Sequence, residues 1–146
     1  MRSLVTGGAG FIGRHLVTVL LELGQEVRVL DNFSTGRLQN LDHLKENPRL
    51  AVHGVDIGSG ADLSGLFDGV ERAFHLAALA DIVTSIQSPH TYHRANVEGA
   101  FQVLQAAKEA GVKRFVYYGL PDVSPTPEDA DIRPMYPYAL GPQGFF

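Results

Sequence analysis

The sequence predicts an open α/β domain built on a doubly wound parallel sheet, and three observations carry that reading. Five short apolar runs rich in Val, Leu, Phe and Tyr recur along the chain, segments of helical period or Gly/Asp-rich composition alternate with them, and a cluster of glycines separates the first run from the first helix. A length of 146 residues with 45% hydrophobic content is enough to bury one core, so the chain reads as one domain, residues 1–146, and excludes a disordered tail.

The strands are read at Ser3–Thr6, Glu26–Asp31, Leu50–Val55, Arg72–Ala77 and Arg114–Tyr118. Between the first two, Ile12, Leu16, Val19, Leu20 and Leu23 keep the spacing of one buried helix face. They predict a helix over Phe11–Leu23, closed by Gly24 at a left-handed cap. A short helix is expected at Asp62–Phe67, and a longer one from Thr91 to Ala110, with Val97, Ala100, Phe101, Leu104 and Ala107 facing inward, Pro89 ahead of it and Gly111 closing it. Continuous apolar strands joined by helices imply a parallel sheet covered on both faces, with right-handed crossovers and strand order 3-2-1-4-5. Prolines concentrate after Tyr118, so 119–146 is expected to be irregular and the fold incomplete at its C-terminal end.

Composition narrows the function classes. Twelve Lys and Arg against sixteen Asp and Glu leave a net charge of −4, so no broad positive field draws the chain to nucleic acid or to anionic lipid. No apolar stretch approaches the ~20 residues that span a bilayer, and MRSLVTGGAG lacks the apolar run of a signal peptide. The absence of Cys removes disulfides, thiolate catalysis and Cys-based metal sites, which makes a cytoplasmic home the expectation. His90 and His93 share a helix entry, but no third ligand accompanies them and no metal site is assigned. His75 reads as a packed strand residue.

The most informative segment is LVTGGAGFIGRHL. It sets Gly7, Gly8, Gly10 and Gly13 between a strand and a helix, where a backbone without side chains can approach a pyrophosphate and the helix start can face it with N–H groups. The fold is therefore Rossmann-type. Asp31 ends the second strand, 24 residues past Gly7, near the offset at which a carboxylate reaches the adenosine ribose hydroxyls. It favours NAD over NADP, since a 2′-phosphate would meet it as a like charge; Arg37 in the next loop is the feature that speaks for NADP.

Beyond the glycines, TGGAGFIG at 6–13, DNFSTG at 31–36, VDI at 55–57, HLAA at 75–78, NVEGAFQVLQAAKEAGVKRFVY at 96–117 and PYAL at 137–140 resemble, in order, the NAD-dependent nucleotide-sugar epimerase/dehydratase branch of the extended short-chain dehydrogenase/reductase family. The resemblance is continuous over residues 1–118 and thins beyond them. It implies that Gly7, Gly10, Phe11 and Ile12 hold the pyrophosphate, and that Asp31, Asn32, Ser34, Thr35 and Gly36 surround the adenosine ribose and its phosphate. Asp56 and Ile57 would border the adenine, Leu76, Ala77 and Ala78 would line the cofactor beyond the fourth strand, and Asn96 falls where the family has an asparagine in the helix near the active site. Taken singly, Ile57, Leu76 and Ala77 read equally well as core.

The implied reaction is nucleotide-sugar epimerisation through a transient 4-keto sugar, on a UDP- or dTDP-sugar, with a homodimer admitted as the assembly. Its base is a tyrosine followed four residues later by a lysine, and Tyr138 is the matching tyrosine. The lysine position holds Pro142, preceded by Gly141, a pair that interrupts a helix. Without a nearby cation a phenol of pKa near 10 is only about one part in a thousand ionised at pH 7, a deficit of roughly 4 kcal/mol. In FVYYG at 115–119 the family's Ser-rich segment is missing, and no motif puts Ser124 in its place. A non-catalytic NAD-binding module is the alternative.

Overall fold

The computed structural model describes residues 1–118. Five parallel strands, β1 (Arg2–Thr6), β2 (Glu26–Asp31), β3 (Leu50–Gly54), β4 (Arg72–His75) and β5 (Arg114–Tyr117), form one sheet in the order β3-β2-β1-β4-β5. Both the strand count and the order are those expected from the βα alternation. β1 is the centre: Ser3, Leu4, Val5 and Thr6 are all buried, because helices cover both faces of the sheet. The period of two along a strand divides the core into two layers. Val5, Val27 and Val29 face one layer with Val17, Leu20 and Leu21, while Leu4, Leu30 and Ala73 face the other with Phe67, Val103 and Ala107.

Helix α1 (Phe11–Glu22) ends where Gly24 takes φ +78°, as the expected left-handed cap. Its buried face shares Leu20, and in part Leu16, with the expected one but is rotated away from the rest. Gly13, Val17, Leu20 and Leu21 point inward, whereas Ile12, Val19 and Leu23 are exposed. The cause is the contact of Gly13 with the glycine turn: a Cβ there would overlap the Gly7 carbonyl oxygen, so the helix lies backbone against backbone at position 13. Counting four, seven and eight residues on from Gly13 gives the inward set.

The helix expected from Thr91 to Ala110 is segmented, and a short helix that was not expected lies ahead of it. α2 (Ile82–Gln87) precedes α3 (Pro89–His93), a π-helical turn follows over Arg94–Glu98, and α4 (Gly99–Glu109) runs to Gly111 at φ +70°. Ala100 and Ala107 face inward as expected, together with Gly99, Val103 and Ala106, but Phe101 is 56% exposed and Leu104 is also on the surface. Gly99 sets this face, since a Cβ there would lie 2.9 Å from Ile57 Cγ1. Only a residue without a side chain lets α4 settle against the loop after β3. Short 3-10 turns cover Leu38–Leu44 and Ser64–Phe67, the second inside the expected Asp62–Phe67 helix. Among the described residues no helix is long and apolar enough to cross a membrane.

Candidate functional site: a crevice at the carboxyl ends of the strands

A crevice of about 380 Å³ opens where β1, β2 and β4 end, the position at which open parallel sheets bind ligands. The glycine turn forms its floor. Gly7 has φ +69°, and a Cβ there would stand 2.8 Å from the backbone nitrogen of Ala77, so position 7 requires glycine for both backbone angle and space. Its N–H donates to Leu30 O at 2.8 Å, which ties the turn to β2. Gly10 is the N-cap of α1, where no side chain caps the helix and no acidic residue sits in the first turn. The N–H groups of Phe11, Ile12 and Gly13 therefore precede the first intrahelical bond, which Arg14 N makes to Gly10 O. Gly10, Phe11, Ile12 and Gly13 all line the crevice.

The second wall is the loop after β2. Asp31 is buried at its base, one carboxylate oxygen accepting from Ala9 N at 2.9 Å and the other from Phe33 N at 2.8 Å. These bonds hold the carboxylate facing the crevice and leave part of its acceptor capacity, about four lone-pair sites, for a ligand's hydroxyls. Phe33 carries φ +57°, an uncommon angle for an aromatic residue, within the tight loop that also presents Asn32, Ser34 and Thr35 to the crevice. Gly36 is buried behind them, where a Cβ would press on Ala9 and on Asp31 Oδ2. Ala9 O receives Arg37 N at 3.2 Å and Asn40 Nδ2 at 2.7 Å, so the two walls brace each other.

Asp56 and Ile57 line the third side, with Asp56 Oδ1 accepting from Gly58 N at 2.9 Å. Leu76, Ala77 and Ala78 line the fourth as the chain leaves β4. Asn96 stands one layer back, buried in the π-helical turn. Its Oδ1 accepts from Leu79 N at 2.8 Å and its Nδ2 donates to Leu79 O at 2.9 Å, which pins the 76–80 loop from behind. Leu79, Ala80, Ala95 and Tyr118 also line the crevice; no sequence motif singles them out, and Tyr118 enters the sequence reading only as a strand end. Tyr138, Ser124 and Pro142 lie outside the described residues. His90 and His93 are exposed, and His93 Nδ1 sits 3.5 Å from Glu98. His75 is buried in β4 as expected, its Nδ1 2.8 Å from Thr6 Oγ1.

The donor set suits a dinucleotide: an uncapped helix start for a diphosphate, and a fixed carboxylate at the neighbouring strand end for ribose hydroxyls. Comparison with known proteins agrees with that chemistry. Residues 3–141 match the model of the NAD dependent epimerase/dehydratase family. The UDP-glucose 4-epimerase of Mycolicibacterium smegmatis is 40% identical over 97% of this chain, which covers 48% of that protein. Among solved structures, the UDP-N-acetylglucosamine 4-epimerase of Methanobrevibacter ruminantium, in complex with UDP-N-acetylmuramic acid, superposes with a TM-score of 0.87 at 30% identity, covering 98% of this chain and 47% of its own. The Thermus thermophilus UDP-glucose 4-epimerase complex with NAD gives 0.82 at 32% identity, over 99% and 48%. The chain spans about half the length of the curated relatives it matches. Glycine turn, strand-end aspartate and sheet order thus coincide with a family match over nearly the whole sequence, and the chain belongs to the NAD dependent epimerase/dehydratase family.

Proposed function

We propose that this chain is the NAD-binding part of a nucleotide-sugar 4-epimerase, and that residues 1–146 act as its cofactor domain. The observation that carries the reading is the crevice itself: the uncapped start of α1 and the oriented Asp31 carboxylate face one cleft. In this reading the N–H groups of Phe11 and Ile12 hold the diphosphate, Asp31 with Asn32, Ser34 and Thr35 holds the adenosine ribose, and Asp56 accepts from the adenine amino group. Gly7, Gly10 and Gly36 keep the backbone clear, and Ile57, Leu76, Ala77 and Ala78 exclude water from the cleft. Bound NAD supplies a hydride acceptor for C4 of the sugar. Tyr138 would take the proton from the C4 hydroxyl as C4 becomes a ketone and give it back to that oxygen when the alcohol is re-formed with the opposite configuration. The substrates are UDP- or dTDP-sugars. The reading carries with it a cytoplasmic home and a homodimeric assembly.

A second reading has a specific sequence feature behind it. Pro142 occupies the position four residues after Tyr138 at which the reaction uses a lysine, and a phenol without that cation is a weak base at neutral pH. A non-catalytic NAD-binding module meets that difficulty. Incubation with NAD and a panel of UDP- and dTDP-sugars, read by NMR for C4 epimers or keto products, separates the two. The epimerase reading predicts interconversion of at least one C4 pair, and no turnover under saturating NAD would leave the module.

A further inference from the structure

The wall of the crevice beyond β4 depends on a hydrogen-bond arrangement that reaches into the sheet. Thr6 Oγ1, at the end of β1, lies 3.2 Å from Ala77 N and 3.2 Å from Leu76 N, and 2.8 Å from His75 Nδ1. Leu76 N–H is shared with the Thr6 backbone oxygen, also at 3.2 Å, whereas Ala77 N–H donates to the hydroxyl. A hydroxyl has two lone pairs and one proton. Of the three groups within hydrogen-bond range of Thr6 Oγ1 among the described residues, two are amide N–H donors, so His75 Nδ1 is the partner that receives the hydroxyl proton and acts as an acceptor. His75 is then the neutral tautomer carrying its hydrogen on Nε2.

The surroundings fix that state. The imidazole stacks on Tyr117 with ring centres 5.4 Å apart and planes 11° from parallel, and has Phe115 at 6.2 Å. It is buried, and burial lowers its pKa to about 4, so the ring stays neutral at physiological pH. Protonation would set a third donor against Thr6 Oγ1 and leave the hydroxyl proton without its acceptor. The Ala77 amide tolerates little displacement, since Gly7 packs directly on it.

We infer that His75 is a positioning residue: through its Nδ1 acceptor it orients the Thr6 hydroxyl, and thereby sets the Leu76–Ala78 wall of the cofactor crevice. The link to cofactor affinity rests on the NAD-binding reading above; the hydrogen-bond arrangement does not.

The test uses the full chain, labelled with ¹⁵N, and two variants. Long-range ¹H–¹⁵N correlation at pH 7, with His75 assigned by its loss in His75→Asn, should show an unprotonated Nδ1 and a protonated Nε2; an Nδ1–H tautomer or an imidazolium overturns the inference. His75→Asn keeps an acceptor at the δ position, while His75→Leu fills similar space without one. Hydrogen exchange at Ala77 and NAD affinity by calorimetry should stay within about twofold of the parent in His75→Asn, and Ala77 exchange should become about tenfold faster and NAD binding about tenfold weaker in His75→Leu, the loss expected of one buried hydrogen bond. Equal behaviour of the two variants means that His75 only fills space, and overturns the proposal. If His75→Leu does not fold, the parent tautomer together with Ala77 exchange in Thr6→Val and Thr6→Ser decides, with loss in the first and retention in the second expected. A parent chain that shows the arrangement but binds no NAD would contradict the functional reading alone.

Discussion

Single residues divide the work of this site between electrostatics and space. Asp31 is held by two backbone amides before any ligand arrives, so its carboxylate is preorganised rather than recruited. Asp31→Ala should weaken NAD binding by about 10- to 100-fold, the loss of one or two charge-assisted hydrogen bonds, and should narrow the preference for NAD over NADP. Titration with both cofactors checks this, and an unchanged ratio of affinities would contradict the role given to Asp31. His75 contributes a second residue-scale expectation. In the unfolded chain an imidazole titrates near 6.5, while in the folded protein burial holds His75 near 4. Between those values the unfolded state binds more protons, so the stability due to neutral His75 is complete above pH 6.5 and is lost as pH falls toward 4. Urea unfolding should show this contribution dropping by about 2 kcal/mol between pH 7.5 and pH 5, by linkage over the part of the shift crossed. His75→Asn should lack that increment, and identical pH slopes for the two proteins would refute it. Asp31 was legible in the sequence because a carboxylate at a strand end has few partners besides a ligand or a turn; the bond between Thr6 and His75 was not, since it joins residues 69 positions apart.

At the level of elements, legibility depended on whether local pattern or close contact decides. The strands and their parallel order follow from βα alternation, which is a local signal, and their ends differ from the expected ones by at most two residues. The helices did not yield their faces so directly. In α1 the expected stripe through Ile12, Leu16, Val19, Leu20 and Leu23 and the observed one through Val17, Leu20 and Leu21 are both apolar; the choice is made by Gly13 against the Gly7 carbonyl, a contact that hydropathy does not encode. The π-helical turn of Arg94–Glu98 has no local signature either, and Gly99 packing on Ile57 sets the face of α4 below it. Its function is visible in Asn96, which is matched on both sides of its amide by one residue's backbone, that of Leu79. Asn96→Ala would leave a buried N–H and carbonyl without that partner, at about 2 kcal/mol. A thermal midpoint lowered together with faster exchange of the Leu79 amide is the expected outcome, and a lowered midpoint with Leu79 exchange unchanged would place the loss elsewhere.

At the scale of the whole molecule, the chain belongs to the NAD dependent epimerase/dehydratase family, has its parallel five-stranded sheet, and spans about half the length of its curated relatives. Within that half, residues at the carboxyl ends of all five described strands line one cleft, and loops there are braced by bonds to one another: Gly7 to Leu30, Ala9 to Asp31, and Leu76 and Ala77 to Thr6. Such bracing means that cofactor affinity should respond to the floor of the cleft without loss of the fold. Gly10 tests this, because it lines the crevice at a φ of −76° that any residue adopts; a Cβ there would stand 3.1 Å from the Gly7 carbonyl oxygen, a tight contact, so the fold is checked alongside. The direct measurement is calorimetric titration of NAD into the chain and into Gly10→Val, with far-UV circular dichroism to verify that both are folded. A saturable, one-site isotherm for the parent and at least a roughly 100-fold weaker one for a folded Gly10→Val is the result predicted, by analogy with filling the approach to a helix-bound diphosphate. Equal affinities, or no heat of binding from the folded parent, would contradict it.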